Sequence, residues 1–216
     1  MLIRTTIRMF DADLEDLQAV RLRSLDLIRP LSQVELDRIP AIGKWSVGEI
    51  VDHIILAGEL LRRKMEDLIR LKRSGQRPFL RQTFSDIDVG FSFIPKALLP
   101  LVDIPFAFFS SFLIGAVRDF VVKHRLILFR AATEATPRHG LPADELHCRL
   151  VSSFAALKLI FENNADLDFR ELVAQHSLLG YLNMLELLRF MRNHESRHQQ
   201  QILEVIDANR RTGRHR

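Results

Sequence analysis

The sequence predicts an all-α fold, and three observations carry that reading. Apolar residues recur at helical spacings of three and four through most of the chain. No alternating strand run flanked by hairpin turns stands out. One segment also bears a complete helix-start signature: Ser46 with Glu49 three residues on, ahead of an amphipathic stretch that stops near Gly75.

The first helix is expected from about Asp11, where "DADLEDL" places acids that complement a helix dipole, to just before Pro30. A short turn, "SQVELDRI", stops at Pro40. The helix capped by Ser46 should run to about Arg73, with an apolar stripe through Ile50, Ile54, Ala57, Leu61, Met65 and Leu68. His53 lies three residues from Ile50 and four from Ala57, so it should point inward. From Gln76 to about Pro105 the pattern breaks into a Pro-punctuated, aromatic connection of the kind that often covers a site. Further helices are expected over Pro105 to about Glu134, from Ala143 or Asp144 to Asn163 or Asn164, and over about Leu182 to Asn209. The turn "ATPRHGLP" and the connection "ADLDFRELVAQHSLLGY" separate them.

A chain of 216 residues, 47% hydrophobic and 27% charged, fits one globular domain over 1–209 with an insertion at about 77–137 and a basic tail at 210–216. The net charge of +4 is partly that tail, and elsewhere the basic residues are interspersed with acids, so no nucleic-acid partner is expected. The one cysteine, Cys148, cannot form an intrachain disulfide, which suits a reducing cytoplasm; it is expected to be a small buried apolar residue. No apolar core of signal-peptide length precedes the first acidic run. The uncharged segment from Ile104 to Val117 is shorter than the roughly 18 to 20 residues of a spanning helix, and Asp103, Pro100, Lys96 and Pro95 flank it. Burial as an internal helix is the expectation there, with a subunit interface or a lipid-surface contact as the alternatives, and the role of 89–117 stays open.

On the last helix the inward stripe reads Leu187, Met191, His194, His198, Ile202 and Val205. Two histidines one turn apart on one face can converge on a metal ion, as in helical metalloprotease motifs. An HxxxH pair by itself is weak, being equally a core or solvated pair. If the His53 helix packs against the last helix, His53 completes a three-histidine set that leaves coordination positions open.

The pieces "WSVGEIVDHI" and "HSLLGYLNMLELLRFMRNHESRHQQQI" resemble the DinB-like superfamily, which includes YfiT-like hydrolases and thiol-dependent S-transferases. The matching positions are Trp45, Ser46, His53, His194, His198, Gln201 and Ile202, with His176 and Gly180 resembling the family's lead-in to the last helix. The resemblance implies a four-helix bundle with a long crossover and an inserted apolar helical segment, "ADELHCRLVSSFAALKLIFEN" being the third bundle helix. It also implies a divalent ion, zinc or nickel, on His53, His194 and His198.

The function expected is metal-dependent hydrolysis or thiol-dependent S-transfer on a small molecule, with a low-molecular-weight thiol as cosubstrate in the second case. The alternatives are a non-catalytic metal-binding homodimer and a membrane-peripheral protein. No catalytic residue is assigned. Glu49 and Glu195 could orient ligands or act on a bound water, but capping and surface placement are the expected roles. His176 is expected to make a hydrogen bond where the last helix begins, and His124, His139, His147 and His215 to be structural or solvent-facing.

Overall fold

The computed structural model describes residues 2–81, 133–176 and 180–213. Among these residues four long helices form an all-α fold: α1 (Leu2–Ile28), α3 (Val47–Arg73), α4 (Ala143–Glu162) and α5 (Met184–Gly213), with a short α2 (Gln33–Asp37) and a 3-10 turn (Thr133–Ala135) between them. The helix expected over 105–134, and the segment 89–117 with it, falls outside the described residues up to the 3-10 turn.

Reciprocal side-chain to backbone bonds set the starts of three helices. Ser46 and Glu49 form the expected capping box of α3, and Ser32 and Glu35 form a second one on α2. At α5, Asn183 Oδ1 accepts from the Glu186 N–H at 3.0 Å while Glu186 Oε2 accepts from the Asn183 N–H at 2.9 Å.

Side-chain pairings fix the helix directions. Along α1 and α5, Asp13 meets Arg189, Asp16 meets Arg192, Arg21 meets Glu195 and Ser24 meets Gln199, so residue numbers rise together and the helices run parallel. Between α3 and α5, His53 lies beside His198 and Gly58 beside Met191, an antiparallel pairing. Gly48 faces Leu146 and Asp52 reaches Arg149, so α3 and α4 are parallel neighbours. Parallel neighbours cannot be joined by a tight turn, which makes the junction between α3 and α4 the long crossover of the bundle.

The core has two apolar halves. Leu14, Leu17, Met65, Leu68, Leu157, Phe161, Leu188 and Met191 belong to one; Leu25, Ile28, Ile50, Val51, Ile55, Leu146, Leu150 and Ile202 belong to the other. Arg21, Ser24, Glu195, His198 and Gln199 come between the two halves along α1 and α5, with His53 of α3 beside His198 and Asp52 next to it among the residues of the second half; all seven are buried. Burying polar groups is costly unless each finds a partner, so this layer is where specific chemistry concentrates.

Four expectations need correction. Helix α1 begins at Leu2, not near Asp11, so Asp13 and Asp16 lie within the helix and pair with Arg189 and Arg192 of α5 in place of the dipole. A small sheet packs at one end of the bundle: β1 (Phe79–Leu80) pairs in parallel with β2 (Val173–His176), which pairs antiparallel with β3 (Gly180–Asn183). In that hairpin His176 stands opposite Gly180, whose φ of 74° is the left-handed conformation glycine tolerates. The His176 side chain lies outside the described residues. Third, Cys148 is exposed on α4, because that helix turns its Leu146 and Leu150 into the core. Fourth, Glu195 is not a surface residue but is buried at 2% relative exposure.

The last helix continues to Gly213, past Asn209, taking in Arg210 and Arg211. Among the described residues no helix is long and apolar enough to cross a membrane.

Candidate metal centre

The polar layer brings the three predicted histidines together. His53 comes from the second turn of α3, and its place is set by the Ser46 cap and by Ile50 and Ile54, which lock that helix face into the core. His194 and His198 come from successive turns of α5. His53 and His198 are buried and His194 is half-buried. One nitrogen from each ring lies within 4.8 Å of the other two. Nε2 of His194 and Nε2 of His198 are 3.2 Å apart. Two nitrogens held at the usual zinc distance in a tetrahedral arrangement lie about 3.3 Å apart, so that pair already has the spacing an ion requires.

Hydrogen bonds on the outer nitrogens set the ring tautomers. Nδ1 of His53 donates to the Ala135 carbonyl at 2.8 Å, which leaves Nε2 with its lone pair. Nδ1 of His198 donates to Gln201 Oε1 at 2.9 Å, with the same result for its Nε2. In the metal-free state the short His194–His198 contact is then a hydrogen bond from Nε2–H of His194, a proton an ion would replace. Burial pushes the His53 imidazolium below its ordinary pKa; the Ala135 carbonyl opposes this, Arg197 adds to it, and Asp52 opposes it. His53 is therefore favoured in the neutral form that binds metals.

Aromatic rings stand on two sides of the cluster. Trp45 lies with its ring centroid 4.9 Å from that of His53, and Phe190 lies 5.7 Å from His194. Trp45, which the sequence offers only as a position of the family resemblance, thus packs on the ring of His53. Glu49 caps its helix and does not join the cluster. His139 lies exposed, 3.6 Å from Glu49 Oε2, and His147 is half-buried on α4; His124 and His215 lie outside the described residues.

On the adjacent face of α5, one residue further round the helix, a second polar group is closed off within the protein. Glu195 accepts from Arg21 Nε at 3.1 Å and from Ser24 Oγ at 2.7 Å, while Arg21 also donates to the Leu150 carbonyl and Ser153 Oγ, both at 2.7 Å. Gln199 donates to the Val20 carbonyl at 2.6 Å and to Ser24 Oγ at 2.9 Å. Arg21, Ser24 and Gln199 leave no signal in the sequence analysis and Glu195 is expected there at the surface, although Glu195 and Gln199 share the spacing of four that makes the histidines visible.

A helical bundle whose buried polar layer gathers three imidazoles defines a class: an all-α protein with a histidine cluster suited to a metal ion. The DinB superfamily family model matches residues 16–202, and the chain belongs to this superfamily. Comparison with curated proteins and with solved structures gave no match.

Proposed function

We propose that His53, His194 and His198 hold a divalent ion, zinc or nickel, and that the protein uses it in hydrolysis or thiol-dependent S-transfer on a small electrophilic molecule. The observation that carries this reading is the outward hydrogen bonding of two of the rings: Ala135 and Gln201 each take an Nδ1 proton, leaving Nε2 of His53 and of His198 without one. A donor set of imidazoles alone suits either metal. When bound, the ion supplies a Lewis acid that lowers the pKa of water or of a thiol. The protein's own part is to fix three rings, to exclude water with Trp45 and Phe190 on the flanks, and to leave the half-buried His194 side open for a substrate and a low-molecular-weight thiol.

Elemental analysis of purified protein, wild type beside His198→Ala, tests the site. About one equivalent of metal in the wild type and a loss of most of it in the variant is expected; equal contents would sink the three-histidine site. Turnover of an electrophile with added thiol, with and without chelator, then separates an enzyme from a metal-binding bundle. Chelator-sensitive turnover supports catalysis, and none supports the binding protein.

A further inference from the structure

The residue before the first histidine, Asp52, is fully buried yet forms no part of the histidine cluster. Its carboxylate faces the other way, towards the chain that follows the 3-10 turn. Oδ2 accepts from the Arg138 backbone N–H at 2.9 Å and from Arg138 Nε at 3.3 Å. Oδ1 accepts from Arg138 Nη2 at 3.1 Å and from Arg149 Nη1 at 2.7 Å. Burial pushes the carboxyl up, but the Arg138 and Arg149 hydrogen bonds outweigh it and hold it below the usual carboxylate range.

The segment from Ala135 to Arg138 is thus fastened to α3 at two adjacent residues. At Arg138 it is held by Asp52; at Ala135 its carbonyl meets Nδ1 of His53 at 2.8 Å. Ala135 is itself 3% exposed, so little water competes for that carbonyl. The second bond decides which nitrogen of His53 keeps its lone pair.

We infer that Asp52 is a positioning residue for the histidine cluster: by clamping Arg138 it holds the Ala135 carbonyl on His53, and so keeps Nε2 of that ring unprotonated and aimed at the cluster. A hydrogen bond is lost once the segment drifts beyond normal bonding distance. The ring then exchanges between tautomers, and the form protonated on Nε2 has no lone pair to offer a metal. The inference rests on the metal-site reading for its effect on affinity, but its effect on the tautomer is independent of any metal.

Two readouts on the full-length protein test it. In the first, two-bond proton–nitrogen NMR spectra of the metal-free, nitrogen-15-labelled protein report the His53 tautomer. Wild type should show a single Nδ1–H form, and Asp52→Asn a mixture of both. In the second, titration with zinc against a chromophoric chelator should show Asp52→Asn binding about 10 to 100 times more weakly, the range typical for loss of a group that orients a metal-ligating histidine. Arg138→Ala, whose side chain is 54% exposed and so leaves the core undisturbed, should move both readouts in the same direction by less. A folded variant of either kind with the wild-type tautomer and wild-type affinity overturns the inference. Failure of the wild type to bind zinc overturns the metal reading instead, and the NMR readout then still decides the role of Asp52.

Discussion

Helix α5 carries two polar pairs with the same spacing, one residue out of step, and the fold treats them in opposite ways. His194 and His198 face α3; Glu195 and Gln199 face α1. Glu195 is met by Arg21 and Ser24, Gln199 by the Val20 carbonyl and Ser24, and Arg21 in turn by Ser153 and the Leu150 carbonyl, so the buried charge is paired inside the protein. On the α3 side, neighbouring groups engage the outer nitrogens and the inner nitrogens turn towards one another. A polar group satisfied internally fixes helix register, and one that converges lone pairs is suited to receive something from outside. The contrast separates a structural layer from the candidate metal site on the same turns of a single helix.

The sharpest way to break the comparison is at Glu195. Glu195→Ala leaves the Arg21 guanidinium buried without its carboxylate and is expected to cost about 3–5 kcal/mol of stability, measured by denaturant unfolding of the metal-free protein. His198→Ala should cost the metal-free protein far less, because its neighbours lose no charge partner. If the two variants are equally destabilised, the division into a structural side and a binding side is wrong.

The next effect belongs to the other face. Zinc at about a hundred times its dissociation constant should stabilise the wild type by about 2.7 kcal/mol, provided it binds the folded state alone. His198→Ala should show almost none of this gain, and Glu195→Ala should retain it under conditions where it is folded. Thermal unfolding with zinc, and again with excess chelator, measures both. A comparable metal-induced shift in His198→Ala would place the ion elsewhere.

How much of this contrast was legible in the sequence depended on what kind of signal each residue leaves. The Ser46 cap and the apolar stripes are local patterns, and from them the inward placement of His53, His194 and His198 followed. Glu195 adjoins a histidine in a stretch rich in charge, and only the presence of Arg21 on another helix makes its burial tolerable. That pairing spans 174 residues and has no local trace. Asp52 was invisible for the same reason, since its partners at 138 and 149 come from across the crossover. The hairpin of β2 and β3 escaped because its strands are only four residues long, too short for an alternating pattern to be distinguished from a loop. Cys148 was misplaced by composition, which describes cysteines on average and not the face of the helix that carries them.

The cap sharpens the comparison from a third direction. Ser46→Ala removes one half of the capping box and should cost about 1 kcal/mol. Because His53 sits on the second turn of that helix, fraying there should also weaken zinc binding, whereas the equivalent cap on α2, Ser32→Ala, should lower stability without changing zinc affinity. Paired denaturation and zinc titration of the two variants checks this; equal affinity losses would show that the caps act only through overall stability.

The smallest expected effect is on the pH dependence of the metal-free protein, and it isolates His53 from the carboxylates of the structural side. Burial lowers the pKa of His53 in the folded state below its ordinary value of 6.5. Well above 6.5 the ring is neutral in both folded and unfolded chains and contributes no pH dependence. As the pH falls below that value the unfolded chain takes up the proton first, so stability is lost progressively until the folded-state pKa is passed, and there the loss levels off. His53→Gln removes the titrating group, so the difference in stability between wild type and variant should shrink or grow only within this window, in the sense that the wild type loses more on acidification. Denaturant unfolding at pH 7.5, 6.5 and 5.5, values that bracket the ordinary histidine range of about 6.5, measures that difference. Parallel pH profiles for the two proteins would mean that His53 is as readily protonated in the fold as out of it. With zinc present the wild-type loss should steepen, because protons and the ion then compete for the same Nε2 lone pairs, while the hydrogen bonds of Arg21 and Ser24 to Glu195 offer zinc nothing to compete for.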